Sequence, residues 1–191
     1  TGTLSANGFR DNCDGTLTDT RTGLQWLRTA LSANTTNGAM TACNELVIGG
    51  FDDWHLPTID ELRSIVLGCD KTREGGTCGV SNTCWQDTCW SESACGGCGM
   101  KGGPGDAGCY TDPLLDDQCH LAISATRVQT AYPGDIRSWY VTFYDGRLAV
   151  NPSGSAINTG FARCVRTPAE GERRHLQAGD PALGAFLQRL D

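Results

Sequence analysis

The sequence predicts an α+β domain, and the order of its patterns is what predicts it. Strand-like alternation occurs near the N-terminus and again after residue 138, with two helical patterns between these regions. Strands and helices that are segregated along the chain are typical of the α+β class. A segment of about fifty residues, 69–119, has no regular pattern and holds eight of the eleven cysteines. The length of 191 residues is enough for one packed domain.

The first predicted elements are a hairpin and a helix. Residues 16–18 and 24–26 alternate between apolar and polar side chains, and residues 19–23 have turn chemistry. A helix is predicted from about residue 37 to 47, where two glycines end it. Its expected buried stripe is Met40, Cys43 and Val47.

The second helix has a clear start. Thr58 can cap it, and Glu61 three residues later completes a capping box. The expected buried face is Ile59, Leu62, Ile65 and Val66.

The later elements are strands. Residues 139–143 and 148–150 flank the tight turn Asp145-Gly146, which predicts a hairpin, and residues 161–165 predict a final strand. From residue 167 the composition changes to charges, Pro and Ala, with a weak amphipathic pattern over 183–190. We therefore predict one domain over 1–166, with an insertion over about 69–119, and a tail or linker over 167–191.

The insertion needs covalent support, because a Gly-rich segment with few aliphatic residues cannot build a core of its own. Disulfides or a metal could supply it. Cysteine at this density is typical of secreted domains, and a zinc ribbon would need a second pair like the single C-x-x-C at Cys95 and Cys98. Structural disulfides are therefore the favoured interpretation. The cysteines outside the first helix and the last strand are Cys13, Cys69, Cys78, Cys84, Cys89, Cys95, Cys98, Cys109 and Cys119.

Charge and hydropathy limit the partners. The net charge is −7, and such an acidic protein repels nucleic acid at long range. No run of eighteen apolar residues exists that would predict a transmembrane segment. The sequence has no H-E-x-x-H, G-x-S-x-G or Walker A motif, so we expect a protein that is not an enzyme and requires no cofactor.

Three sets of residues are candidates for binding. Four oxygen-bearing residues around Gly15 could hold calcium, although an Asx-rich turn is the favoured alternative. They are Asp11, Asn12, Asp14 and Asp19. The aromatic residues of the insertion, Trp85, Trp90 and Tyr110, could stack on a ligand or form a small core. Arg127, Arg137 and Arg147 could bind sulfate or carboxylate, or could be a solvated strand face with local ion pairs.

Five segments in order resemble one known family. The segments are Asp11-Asn12-Cys13-Asp14-Gly15-Thr16, Thr22-Gly23-Leu24-Gln25-Trp26, Asp53-Trp54-His55-Leu56-Pro57-Thr58 with Glu61-Leu62, Trp139-Tyr140-Val141 with Asp145-Gly146, and Arg163-Cys164-Val165-Arg166. Together they are similar to the Lcl C-terminal domain family of bacterial surface proteins, a relative of the C-type-lectin-like and formylglycine-generating-enzyme fold. The resemblance covers roughly residues 10–166. Cys13 and His55 depart from it, since the family usually has Gly and Arg there.

The resemblance implies a C-type-lectin-like fold in which Cys43 on the first helix is bonded to Cys164 near the last strand. Nine cysteines then remain, so one is unpaired. The eight in the insertion allow four local bridges and leave Cys13 free, unless Cys13 reaches into the insertion. The connectivity stays open at this point.

Two functional hypotheses follow for an extracellular or cell-surface protein. The first is a bacterial binding or adhesion module that recognises a glycan or a protein, to which the resemblance adds polyanions as candidate ligands. The calcium-dependent sugar motifs of lectins, such as Glu-Pro-Asn, are absent from the sequence. The second is a structural subunit of an extracellular filament, a homo-oligomer or fibre that a spare thiol and the tail would help to assemble.

Overall fold

The computed structural model describes residues 2–33, 35–115, 119–151, 160–170 and 172. It is a mixed α+β structure with two β-sheets, few helices and five disulfides. The weak helical pattern over 183–190 and most of the predicted tail lie outside the described residues.

The first sheet joins the N-terminal hairpin to the end of the domain. Its antiparallel strands are β1 (Phe9–Asp11), β2 (Thr16–Asp19), β3 (Gln25–Leu27) and β9 (Val165–Arg166), in the order β1-β2-β3-β9. The main chain of His55 pairs with that of Val165 beyond β9. The motif around residue 55 is thereby held against the last strand.

The second sheet is the larger one. It contains β4 (Leu31–Ser32), β5 (Leu121–Gln129), β6 (Ile136–Thr142), β7 (Arg147–Val150) and β8 (Gly160–Ala162). The strand order is β4-β8-β5-β6-β7, with β5 and β8 parallel and the other pairs antiparallel. The predicted hairpin around Asp145-Gly146 is confirmed as β6 and β7, whereas β5 was not predicted from the sequence.

In the part of the chain that the structure describes, three α-helices accompany the sheets: α1 (Thr36–Asn44), α2 (Ile59–Ser64) and α3 (Glu92–Cys95). The capping box of α2 is confirmed, because Thr58 and Glu61 exchange both expected hydrogen bonds. Its four predicted apolar residues are all at most 2% exposed. Of the buried stripe predicted for α1, Cys43 is confirmed, whereas Met40 and Val47 are exposed, and α1 already ends at Asn44. Thr36, Ala39 and Cys43 form its buried face.

The core lies on both faces of the second sheet. On one face, Val128, Trp139 and Leu148 pack with α2, the first sheet and the insertion. On the other face, Ile123 packs with Ala39 and Cys43 of α1. The bond between Cys43 and Cys164, with an S–S distance of 2.14 Å, crosses this second cluster. It is the pair that the family resemblance implied.

The insertion is bonded within itself. Its bridges are Cys69–Cys98, Cys78–Cys95, Cys84–Cys89 and Cys109–Cys119. It is less independent of the core than its composition suggests, because Val80, Tyr110 and Leu115 belong to the main buried cluster. In its described residues, the helical segments are α3 and two 3₁₀ turns, Asp87–Cys89 and Asp106–Gly108.

Candidate ligand-binding surface

The insertion is fixed along the β7 edge of the second sheet. The indole Nε1 of Trp90 donates a 2.6 Å hydrogen bond to the carbonyl of Leu148, and Arg147 pairs with Glu92 at 2.8 Å. Gly97 approaches the β6–β7 turn so closely that a Cβ there would lie 2.4 Å from the Asp145 carbonyl oxygen. An exposed sheet edge is a site of unwanted strand pairing, and the insertion covers this one.

Two of the three aromatic candidates belong to this contact. Tyr110 is 2% exposed, and its ring lies against Gly146, so it is a core residue. Trp90 is half-buried and packs on the main buried cluster, and its indole donates the hydrogen bond to the Leu148 carbonyl. Both therefore have the packing role that the sequence left open as the alternative to ligand binding. Arg147, bonded to Glu92, also serves the contact between the insertion and the sheet.

The third aromatic candidate, Trp85, is 54% exposed and has exposed apolar neighbours. The amide of Gln129, the last residue of β5, donates to the Trp85 carbonyl at 2.7 Å. The side-chain amide of Gln129 donates to the Tyr132 carbonyl at 2.7 Å, and Ile136 is the register partner of Gln129 on β6. Trp85, Tyr132 and Ile136 therefore all lie next to Gln129, at the turn end of the β5–β6 hairpin. We call these three residues the hairpin-tip patch.

Charged groups lie near the hairpin-tip patch. Asp135 and Arg137 form an ion pair at 2.5 Å, and the Arg137 guanidinium holds the pKa of Asp135 below its ordinary value. A carboxylate oxygen of Asp87 accepts the amide of Ala131. An apolar centre with a polar rim is the usual composition of a recognition surface.

The three candidate arginines do not form one surface. The strand register pairs Arg127 with Ser138 and Arg147 with Thr142, which places both on the same face of the second sheet. Arg137 pairs with Val128 and lies on the opposite face. Each arginine also has a protein partner: Asn37 for Arg127, Asp135 for Arg137 and Glu92 for Arg147. Of the three bonds, only that of Arg137 is a local ion pair, since Asn37 lies in α1 and Glu92 in α3.

All four calcium candidates have protein partners, and Asn12 donates its side-chain amide to the Thr16 hydroxyl. Asp11 pairs with Arg28 at 2.7 Å, and Asp14 accepts both the amide and the hydroxyl of Thr16. Asp19, at the other end of β2, is buried and pairs with Arg21 at 2.8 Å. Asx turns and ion pairs account for these carboxylates, and the described residues include no group of three metal-ligating side chains arranged for a metal. Calcium binding stays a prediction.

Ten of the eleven cysteines are in disulfides, and Cys13 is the free one. Its thiol is exposed in the tight turn before β2, where its φ of 61° is in the left-handed region. Glycine adopts that conformation without strain. The turn geometry therefore agrees with the glycine that is usual in the family.

The motif around His55 is an ionic network with a structural role. His55 Nε2 lies 3.2 Å from Glu61, and Arg166, 3% exposed, pairs with Asp53 at 2.5 Å and covers the Phe51 ring at 3.6 Å. The hydrogen bond to Glu61 raises the pKa of His55 above 6.5. Burial of Glu61 opposes ionisation, but the bonds from His55 and Thr58 outweigh it and lower the pKa of Glu61 below 4.5.

These shifts predict how pH affects stability. The raised pKa of His55 stabilises the fold below pH 6.5, and that contribution is lost as pH rises through the folded-state pKa. The lowered pKa of Glu61 stabilises the fold above pH 4.5 and is lost as pH falls. We expect the pair to contribute most between these values. NMR titration of the His55 ring should give a pKa above 6.5, and Glu61→Gln, which retains a capping oxygen, should lower it. An unchanged His55 titration in that variant would contradict the prediction.

Tyr132 and Ile136 are the members of the hairpin-tip patch that were not predicted. Both lie close to the dipeptide Pro133-Gly134, which is a strong turn signal. Two large apolar side chains beside a predicted turn were the sequence feature that could have identified the patch. Turn residues are normally polar, and exposed apolar residues grouped at a turn are typical of an interaction site.

The five disulfides and the mixed fold indicate a class: an α+β domain of the disulfide-bonded, extracellular kind. The model of the Lcl C-terminal domain family matches residues 15–166, most of the chain, and this protein belongs to that family. The family match confirms the resemblance that the five segments indicated. No curated protein and no solved structure matches the chain. In the described part of the chain, every helix is too short or too polar to cross a bilayer.

Proposed function

We propose that this protein is a bacterial surface or secreted binding module that recognises a glycan through the hairpin-tip patch. The observation that carries the proposal is the exposure of two aromatic side chains on fixed backbone: Trp85 at 54% and Tyr132 at 72%. An exposed aromatic ring leaves an apolar face in contact with water, which is unfavourable. Such rings are enriched in binding sites, where a partner covers them. The proposed role is non-catalytic.

The rigidity of the patch supports this role. Trp85 follows Cys84 directly, and the short Cys84–Cys89 bridge closes the loop that carries it. Asp87 and the Asp135–Arg137 pair beside the rings offer hydrogen-bonding groups of the kind that sugar hydroxyls need. A surface that is already ordered loses little conformational entropy on binding. The C-type-lectin-like fold is part of the proposal, and the Cys43–Cys164 bridge supports it.

We expect Trp85→Ala and Tyr132→Ala each to weaken glycan binding by about 1–2 kcal/mol, which is roughly five- to thirtyfold. Neither change should affect thermal stability, because exposed side chains contribute little to folding. The ligand is first identified on a glycan array, and affinities are then measured by calorimetry. Tyr144→Ala is the matched control, since Tyr144 is a 38% exposed ring outside the patch.

Equal binding by the wild type and both patch variants would contradict the proposal. The second candidate, a filament subunit, is favoured by the exposed thiol of Cys13, which is free to bond another molecule. Sedimentation of the same samples separates the two. Large assemblies that reductant disperses, with no glycan binding, would support the structural role over the binding role.

A further inference from the structure

A cleft of about 450 Å³ lies apart from the hairpin-tip patch, where the β2–β3 turn meets α2 and the first turn of the insertion. Arg21 comes from the β2–β3 turn, Arg63 from α2, and Arg73 from the first turn of the insertion, and Glu74 lines the cleft beside them. Three guanidinium groups line this one cleft, although the protein has a net charge of −7. A cleft of this volume accommodates a ligand of the size of a monosaccharide.

Arg63 is the least exposed of the three, at 6%. Its Nε, Nη1 and Nη2 donate to the main-chain carbonyls of Thr72, Val80 and Arg73 respectively. Both terminal nitrogens carry a second N–H, so the guanidinium has two donors beyond these bonds. Among the residues that the structure describes, no carboxylate lies within ion-pair distance of Arg63. Its charge is desolvated, and burial lowers its pKa.

Arg21 and Arg73 are more accessible, with side chains 40% and 53% exposed. Each has a carboxylate partner close in sequence: Asp19 for Arg21 and Asp70 for Arg73, both at 2.8 Å. The Asp70 side chain is 93% exposed, and a solvated pair of this kind is weak. An arginine can also share its fork of donors between two acceptors. Arg21 donates from Nε and Nη2 to Asp19 and from Nη2 to the Ser64 carbonyl, and Arg73 donates from Nε to Asp70. Nη1 of Arg21 and both terminal nitrogens of Arg73 can therefore contact a ligand while these bonds persist.

We propose that this cleft binds a single oxyanion group, a carboxylate, sulfate or phosphate, on a small ligand. The arginines supply the positive charge, with Arg63 at the base and Arg21 and Arg73 at the rim. Glu74 selects for a ligand that has a hydroxyl or ammonium donor beside its oxyanion, and it disfavours a chain of closely spaced negative charges. The site is independent of the hairpin-tip patch and does not depend on the role proposed for that patch.

The test uses the intact protein and four soluble probes. Sodium sulfate, sodium phosphate and sodium glucuronate are titrated separately in amide-resolved NMR at constant ionic strength, with methyl glucoside as the uncharged control. We expect saturable shifts at Gly68, Arg73 and Glu74 with at least one anion and none with methyl glucoside. Comparison of the three anions identifies the oxyanion that the cleft prefers.

Arg21→Gln and Arg73→Gln should each weaken anion binding about tenfold, the usual effect of losing one charged hydrogen bond. Arg127→Gln, outside the cleft, should leave it unchanged. Thermal melts of the two cleft variants verify that they are folded. The proposal is overturned if no anion gives a saturable shift, or if both cleft variants, while folded, bind as the wild type does. Wild-type-like glycan binding in these variants would leave the separate role of the hairpin-tip patch intact.

Discussion

Replacing Cys43 and Cys164 together by alanine should lower the free energy of unfolding by about 4–5 kcal/mol. The two cysteines are 121 residues apart in sequence, so their bond closes most of the chain into one loop. In the chain-entropy account, a link across a long loop restricts the unfolded ensemble most, and removing it makes unfolding correspondingly more favourable.

The position of this bond strengthens the expectation. Both sulfur-bearing residues are fully buried in the cluster between α1 and the second sheet. The carbonyl of Cys164 also accepts the amide of Leu27, so the bond joins the helix to a segment that continues the first sheet. Loss of the bond should therefore loosen the contact between α1 and both sheets.

The measurement is urea unfolding followed by tryptophan fluorescence, with the slope of the transition used to verify two-state behaviour. A matched control is the double replacement of Cys84 and Cys89 by alanine. These residues are five apart, and the same entropy relation gives only about 2 kcal/mol. Equal losses in the two double variants would show that loop length does not determine the contribution of these bonds.

The elements that were predicted correctly are those that short sequence motifs specify. The capping box of α2 is made by Thr58 and Glu61, three residues apart, and the β6–β7 turn is made by Asp145-Gly146. Such features depend on neighbouring residues only, so they can be recognised without knowledge of the rest of the chain.

The longest strand, β5, was missed because its pattern is interrupted. The register between β5 and β6 shifts between Ile123 and Arg127, and this irregular segment serves a distant element. The amide of Ala125 donates to the Pro57 carbonyl, and the Thr126 hydroxyl accepts the amide of Ile59 at the start of α2. The regular alternation of apolar and polar residues is interrupted where β5 bonds to the start of α2. A sequence pattern cannot show such a tertiary contact.

The candidate site was predicted only in part for the same reason. Residue type identified Trp85, Trp90 and Tyr110 as large aromatic rings in the insertion, but their exposure depends on how the insertion packs against the sheet. Only Trp85 remained on the surface. The cleft arginines were not predicted together, because Arg21, Arg63 and Arg73 meet through the fold and share no sequence motif.

Arg63→Met should destabilise the protein by about 3 kcal/mol, since each buried carbonyl left without a donor costs about 1–3 kcal/mol and some will recover a water molecule. The Arg63 side chain connects α2 to the carbonyls of Thr72, Arg73 and Val80, which are the turns of the insertion around the Cys69–Cys98 and Cys78–Cys95 bridges. The bridges limit the shapes that the insertion can adopt, and this guanidinium attaches it to the core. Removing it should therefore free the insertion from α2 even while every disulfide remains intact.

Two comparisons make this expectation specific. Arg63→Lys retains the charge, but an ammonium lacks the planar fork that reaches three separate carbonyls, so it should recover only part of the stability. Arg73→Met removes an exposed arginine of the same turn and should cost less than about 0.5 kcal/mol. Urea unfolding gives the free energies, and hydrogen exchange locates the loss, which should be greatest at the amides of residues 70–80. If Arg63→Met and Arg73→Met unfold at the same urea concentration, or if exchange in that segment is unchanged, Arg63 does not anchor the insertion.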